Sequence, residues 1–202
     1  MGKTIAKIFS ILFHPLLLPT IGLIILYNSG SVLEYLPYNY KNIYLLIVIV
    51  CTFALPLTFV PFFIFQKIIK NVKMENNRER LLPFFITFIL YLLCYYLIAI
   101  RIGAPETISR FILAAAVATA ILFLLSFKWK ISAHMTGIGG LTGALIAVSF
   151  RLNVNLELFI IAAVIISGLI GYSRLNLNTH KQYQVYIGWL TGIFVSITVL
   201  LF

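Results

Sequence analysis

Long apolar runs separated by short polar segments dominate this chain. A helix needs about 20 apolar residues to cross the roughly 30 Å hydrocarbon layer of a membrane. Runs of about that length predict helices at about 8–28, 42–66, 82–100, 107–127, 134–150, 156–172 and 183–202. We therefore expect residues 1–202 to form a single all-α integral membrane domain, a polytopic bundle of about six to seven transmembrane helices.

The composition supports this class. Hydrophobic residues make up 62% of the chain and charged residues 10%, whereas ordinary globular domains have about 45–50% and about 25%. These figures exclude intrinsic disorder, and the two cysteines, Cys51 and Cys94, are too few for a disulfide scaffold.

The charge balance predicts an anionic partner. Fifteen Lys and Arg face five acidic residues, for a formal net charge of +10. Because the basic residues lie between apolar runs, we expect anionic membrane lipid or a phosphorylated substrate and not nucleic acid.

Counting membrane crossings places most of the cations on one side. Eleven Lys and Arg fall on the side of segments 67–81, 128–133 and 173–182, and four fall on the other side: Lys41, Arg101, Arg110 and Arg151. The positive-inside rule would place the basic side in the cytoplasm. A catalytic anion site on the outer face would produce the same asymmetry, so the sidedness stays open.

Residues suited to phosphate chemistry occur in three segments on the basic side, 73–83, 128–134 and 173–184. Two of the three histidines, His134 and His180, lie there beside cations at the ends of predicted helices. Fixed cations can hold phosphate oxygens while one imidazole attacks phosphorus and the other protonates the leaving group. The three segments therefore predict one site for phosphoryl transfer.

Local spacing adds two expectations. Ser132 precedes a predicted helix, so its hydroxyl and the free N–H groups of the first turn can form an anion pocket. Gln184 lies one helical turn after His180, and its side chain can therefore hold one tautomer of that ring. His14 lies in the first apolar run, where an ionisable side chain is a candidate functional group; a neutral ring bonded to a carbonyl freed by Pro15 explains it equally well.

The three segments resemble the motifs of the type 2 phosphatidic acid phosphatase superfamily. Those motifs are Lys, six residues, Arg-Pro; then Pro-Ser-Gly-His; then Ser-Arg, five residues, His, three residues, Asp. This chain has Lys73, six residues and Arg80; Ile131-Ser132-Ala133-His134; and Ser173-Arg174, five residues, His180, three residues and Gln184. The resemblance covers roughly residues 70–200.

The resemblance implies a membrane lipid phosphatase that needs no metal or other cofactor, in the inner (cell) membrane of a bacterium with its site facing the periplasm. Its substrate would be phosphatidate, phosphatidylglycerol phosphate or a polyprenyl pyrophosphate. By the same resemblance His180 is the nucleophile that forms a phosphohistidine and His134 is the general acid. The implied phosphate ligands are Lys73, Arg80, Ser132 and Arg174.

The chain departs from the motifs at Leu81, Ile131, Ala133 and Gln184. Gln184 replaces the motif's Asp, and a neutral amide can hold a tautomer but cannot stabilise an imidazolium as a carboxylate does. Glu75 or Glu79 could take that role. A protein that binds lipid phosphate, or a scaffold, without turnover is the alternative, and a transporter with broken helices and a midplane site is a third possibility.

Overall fold

The computed structural model describes residues 2–71, 74 and 76–202. Lys73 and Glu75 lie outside these residues. The described chain is helical and contains no strand. Its α-helices are α1 (Lys3–Leu12), α2 (Leu18–Leu26), α3 (Tyr38–Ile49), α4 (Leu55–Phe65), α5 (Asn77–Tyr95), α6 (Glu106–Ser126), α7 (Ala133–Leu152), α8 (Glu157–Asn176) and α9 (Gln182–Leu201).

Six helical segments of the described chain are long and apolar enough to cross a membrane: Tyr38–Phe65, Asn77–Ile102, Glu106–Ser126, Ala133–Leu152, Glu157–Asn176 and Gln182–Leu201. The predicted all-α polytopic bundle is confirmed, and the protein is a multi-pass membrane protein. Helix α7 is central, because 61% of its apolar window is buried inside the protein against 17% in the segment that begins with α5.

The first apolar run does not form a span-length helix, which corrects the helix predicted at 8–28. It divides into the 10 residues of α1 and the 9 residues of α2. Pro15 disfavours helical backbone at His14 and cannot donate a backbone hydrogen bond, so the helix ends before it. At the break, Pro15 and the first residue of α2, Leu18, lie against Gly137 of α7.

A second proline effect lies between α3 and α4, which are joined by a π-helical turn at Val50–Ala54. Pro56 has no N–H for the carbonyl of Thr52. The Tyr91 hydroxyl of α5 lies 3.4 Å from that carbonyl oxygen and donates to it. Neighbouring helices thus satisfy backbone groups that a proline frees inside the membrane.

Helices α7 and α9 pack backbone against backbone through glycines. A Cβ on Gly139 would overlap the carbonyl of Trp189, and one on Gly192 would overlap the carbonyl of Thr136. Small residues allow this approach. It brings the N-terminal ends of both helices together, where the Ser132 N–H donates to the Gln184 carbonyl over 3.3 Å.

Gly192→Ala is expected to lower the thermal unfolding temperature of the detergent-solubilised protein by several degrees, because α9 must move away from α7. Gly168→Ala is the matched control, since a Cβ there meets no atom within 4 Å. This control should unfold at or slightly above the wild-type temperature because alanine favours helix. Equal melting of the two variants would contradict the close packing.

Arg110 and Arg151, two of the cations at the opposite end of the bundle, have structural partners. Glu106 forms ion pairs of 2.7 Å with both Arg110 and Arg151. The same two arginines donate to the carbonyls of Val199 and Leu200 at the end of α9, over 3.4 and 2.6 Å. These contacts join α6, α7 and α9 at the end of the bundle away from the predicted site.

Candidate functional site

The three predicted segments meet at one end of the bundle. Arg80 is 7% exposed, and its guanidinium donates to the carbonyls of Met74 and Ile131 over 3.0 and 3.2 Å. It therefore ties the first segment to the second. The rings of Trp129 and Tyr183 stack with centroids 5.8 Å apart, which ties the second segment to the third.

A cavity of about 690 Å³ opens at this junction. Four of the predicted site residues line it: Arg80, His134, Arg174 and His180. The N-terminal segment adds Lys7, Ser10 and His14, so all three histidines of the chain face one cavity. This end of the cavity is cationic and rich in imidazole, as an anion site requires.

Gln184 lies behind His180 and orients it. The Gln184 Oε1 accepts the backbone N–H of Lys181 over 3.0 Å, so this oxygen acts as an acceptor. The His180 Nδ1 lies 3.2 Å from the same oxygen and must therefore carry the proton. The lone pair of the neutral ring is then on Nε2, as a nucleophile requires, and the predicted contact between Gln184 and His180 is present.

His180 is 9% exposed. Burial, together with the neighbouring Arg80 and Arg174 guanidinium groups, lowers the pKa of His180 from 6.5 to about 3. The hydrogen bond to Gln184 opposes this shift. Because the pKa in the folded protein lies below the ordinary value, the ring is neutral throughout the physiological pH range.

We expect the ring nitrogens of His180 to show no titration between about pH 8 and pH 5 in the folded protein. Nitrogen NMR of protein labelled with ¹⁵N-histidine tests this with three pairs of ring signals, one pair for each histidine, and His180→Gln assigns one pair. The signal should be that of a neutral ring protonated on Nδ1. In urea the same ring should titrate near 6.5, and a folded-state midpoint near that value would contradict the buried cationic setting.

Arg174 lies at the centre of the polar end. Its Nη1 donates to the Ser10 hydroxyl over 2.8 Å. Its Nε is buried and has no hydrogen-bond partner among the described residues. An unpaired N–H of a buried guanidinium is a strong site for an anionic oxygen.

His134 contacts the N-terminal segment. Its Nε2 lies 3.1 Å from the Ser10 carbonyl oxygen and 3.2 Å from the Ser10 hydroxyl, and its ring meets that of His14 edge to face at 5.4 Å. Sequence reasoning missed Ser10. One sequence signal was available. Ser10 lies four residues before His14, and His14 precedes Pro15, the proline that breaks the first apolar run.

The remaining candidates occupy other positions. Ser132 is 0% exposed and caps α7 by accepting the Met135 N–H over 3.5 Å, so its hydroxyl serves the helix and lies outside the cavity lining. Glu79 accepts a hydrogen bond from Asn76 over 3.3 Å, with no contact to His180 in the described structure. Lys73 and Glu75 fall outside the described residues.

The cavity continues from its polar end into an apolar chamber between α2, α4, α5, α6 and α7. On α6 its wall runs from Phe111 to Leu122, which at about 1.5 Å per residue is roughly 16 Å, or half of the hydrocarbon layer. Two wall residues, Ile11 and Leu57, are 70% and 47% exposed on the outside of the bundle. The lining therefore includes apolar side chains that the protein leaves largely uncovered.

Within the described part of the chain, no cluster of three or more His, Cys, Asp and Glu side chains is placed to hold a metal ion. The fold and the site define a class: a polytopic α-helical membrane protein with a buried cationic site joined to an apolar chamber. Searches against protein-family models, curated proteins and solved structures find no match to this chain.

Proposed function

We propose that the protein is a membrane lipid phosphatase that hydrolyses a phosphate monoester or pyrophosphate of a lipid, in the inner (cell) membrane of a bacterium. The observation that carries the proposal is the meeting of Arg80, His134, Arg174 and His180 around the polar end of one apolar chamber. These four residues come from helices α5, α7 and α8 and from the segment before α9. The motif resemblance assigns the same residues to phosphoryl transfer.

The proposed reaction has two steps. The lone pair on His180 Nε2 forms a bond to phosphorus as the bond from phosphorus to the lipid oxygen breaks, and a His134 ring that is protonated on both nitrogens before this step gives a proton to that oxygen. Water then attacks phosphorus, His134 takes its proton, and the bond between phosphorus and nitrogen breaks. Arg80 and Arg174 stabilise the negative charge that the phosphoryl oxygens carry through both steps.

The apolar chamber would bind the hydrocarbon chain of a lipid substrate. A headgroup at Arg174 and His180 would leave its chain beside the chamber, whose walls come largely from apolar residues such as Phe84, Phe111 and Leu141. The exposed Ile11 and Leu57 mark the side from which a chain in the bilayer would enter. This arrangement supports a lipid phosphate over a small soluble phosphate ester.

A second candidate function is binding of lipid phosphate without turnover, and Gln184 is the residue that favours it. The motif has Asp at this position, and a carboxylate would stabilise the imidazolium that forms on the nucleophile. Gln184 keeps a hydrogen bond to the ring, with 3.2 Å between its Oε1 and His180 Nδ1, but its side chain has no charge.

Phosphate release from defined lipids tests the proposal. Purified protein in detergent, with a chelator and no added metal, is offered phosphatidate, phosphatidylglycerol phosphate and a polyprenyl pyrophosphate. We expect release from at least one of them. If the wild type and Gln184→Asp both bind these lipids and release nothing, the binding function replaces the phosphatase.

A further inference from the structure

Ser10 joins two groups of the proposed site from outside the three motif segments. It lies near the end of α1, and its hydroxyl accepts a hydrogen bond from Arg174 Nη1 over 2.8 Å. Its carbonyl and hydroxyl oxygens lie 3.1 and 3.2 Å from His134 Nε2. A phosphate ligand and the proposed general acid therefore converge on one residue that no motif includes.

The contact determines which nitrogen of His134 carries the proton. A carbonyl oxygen can only accept, so His134 Nε2 is the donor to Ser10. Nδ1 is then the nitrogen that exchanges a proton: it gives one to a leaving group when the ring is protonated on both nitrogens, and it accepts one from water when the ring is neutral. His180 has the opposite arrangement, because Gln184 holds its Nδ1 proton.

The same contact orients Arg174. With Nη1 held by Ser10, the guanidinium plane is set, and the buried Nε stays without a partner among the described residues. A long arginine side chain loses much conformational freedom when it binds an anion. Anchoring one nitrogen in advance lowers that cost and leaves another N–H ready for an anionic oxygen.

The fold holds Ser10 in place from two sides. Helix α1 packs on α8, and Ala6, one turn before Ser10, is 0% exposed. Beyond the helix end, His14 lies edge to face with His134, and its Nδ1 accepts the Leu16 N–H over 3.4 Å. The N-terminal segment is thus packed against the site.

We infer that Ser10 is a positioning residue of the active site: its backbone carbonyl sets the tautomer of His134, and its hydroxyl contacts the same ring nitrogen and orients Arg174 for a phosphate oxygen. The N-terminal segment is then a fourth part of the site. The inference rests on the proposed function for the identity of the anion, and the hydrogen bonds stand without it.

Three variants test the inference. Ser10→Ala removes the hydroxyl, and Ser10→Thr keeps one. Ser149→Ala is the matched control, because the Ser149 hydroxyl also makes one hydrogen bond, to the Val154 carbonyl at the far end of α7. For all three variants and the wild type, calorimetry measures the affinity for inorganic phosphate, and nitrogen NMR measures the signals of the histidine rings.

We expect Ser10→Ala to weaken phosphate binding on the order of ten- to hundredfold, the range for a lost hydrogen bond to a charged group. Ser10→Thr and Ser149→Ala should bind like the wild type. The His134 ring should be protonated on Nε2 in the wild type and in Ser10→Ala, because the Ser10 carbonyl is present in both. Its signals should shift in Ser10→Ala, where the hydroxyl 3.2 Å from Nε2 is lost, and stay unchanged in Ser149→Ala.

Two results would overturn the inference: wild-type phosphate affinity in Ser10→Ala, or tighter binding, which would make Ser10 an obstacle to the anion. A wild type that binds phosphate and hydrolyses no lipid would end the phosphatase proposal and leave the role of Ser10 intact. If the wild type binds no phosphate, the ring signals decide: an unchanged His134 in Ser10→Ala overturns the inference.

Discussion

Replacing His180 by glutamine is expected to lower phosphate release from the lipid substrate by about a thousandfold or more, the scale seen when a covalent nucleophile is removed. The reason is geometric. Gln184 holds the Nδ1 proton of His180 and leaves a lone pair on Nε2 at the cavity. Glutamine is polar and of similar size, but its amide cannot form the phosphorus–nitrogen bond.

Thr87→Val is the control, because Thr87 lines the same cavity, its hydroxyl bonds to the Pro83 carbonyl, and it plays no part in the proposed reaction. It should keep most of the activity, while His180→Gln should still bind inorganic phosphate through Arg80 and Arg174. Labelled lipid phosphate and an alkaline quench should trap a phosphorylated wild type and no phosphorylated His180→Gln. Wild-type turnover in His180→Gln would rule out the covalent mechanism.

Replacing Arg174 by methionine is expected to lower turnover about a hundred- to a thousandfold, the effect of removing one preorganised donor from a developing negative charge. Methionine keeps an unbranched apolar stem, so packing of α8 should change little. The buried guanidinium has an unpaired Nε in the described structure, and this is the donor that the reaction would lose.

Arg78→Met is the control for charge alone, because Arg78 lies exposed in the first turn of α5. Its turnover should stay near that of the wild type. The turnover of Arg174→Lys should lie between those of Arg78→Met and Arg174→Met, because lysine restores the charge without the planar guanidinium group. Equal losses in Arg78→Met and Arg174→Met would indicate a general effect of charge in place of a specific site.

The span-length helices follow from the pattern of apolar residues, because a membrane helix must present about 20 apolar residues to lipid. The runs predicted at 107–127 and 156–172 are α6 and α8 with only their ends shifted. The prediction of one helix at 8–28 was wrong, although this run has enough apolar residues to cross a membrane. There the backbone rule at Pro15 outweighs hydropathy, and the sequence shows that proline plainly.

The site was predictable in part for a related reason. Helices that cross a membrane alternate in direction, so the segments holding Arg80, His134 and His180 had to share one end of the bundle. The contact from Gln184 to His180 was predicted from a four-residue spacing, and it is present although His180 lies just before α9 begins. Ser132 was assigned to phosphate, yet its hydroxyl caps α7, because a buried cap satisfies the helix's own N–H groups.

The contacts of Ser10 with His134 and Arg174 could not be predicted from the sequence. It is 124 residues from His134 and 164 from Arg174 along the chain, and no local periodicity relates positions so far apart. Its place depends on how α1 packs on α8 and on the break at Pro15. The same packing shapes the cavity, whose lining combines residues from α1, α2 and α4 to α9.

Membrane insertion, the number of long helices and the shared end of the polar segments are consequences of residue type and order, since they follow from burying apolar side chains in lipid and satisfying the backbone within each helix. The proton position on His134, the unpaired nitrogen of Arg174 and the shape of the chamber depend on contacts between distant elements. Such contacts form only when side chains pack in three dimensions, because a hydrogen bond requires its two atoms within about 3 Å of each other.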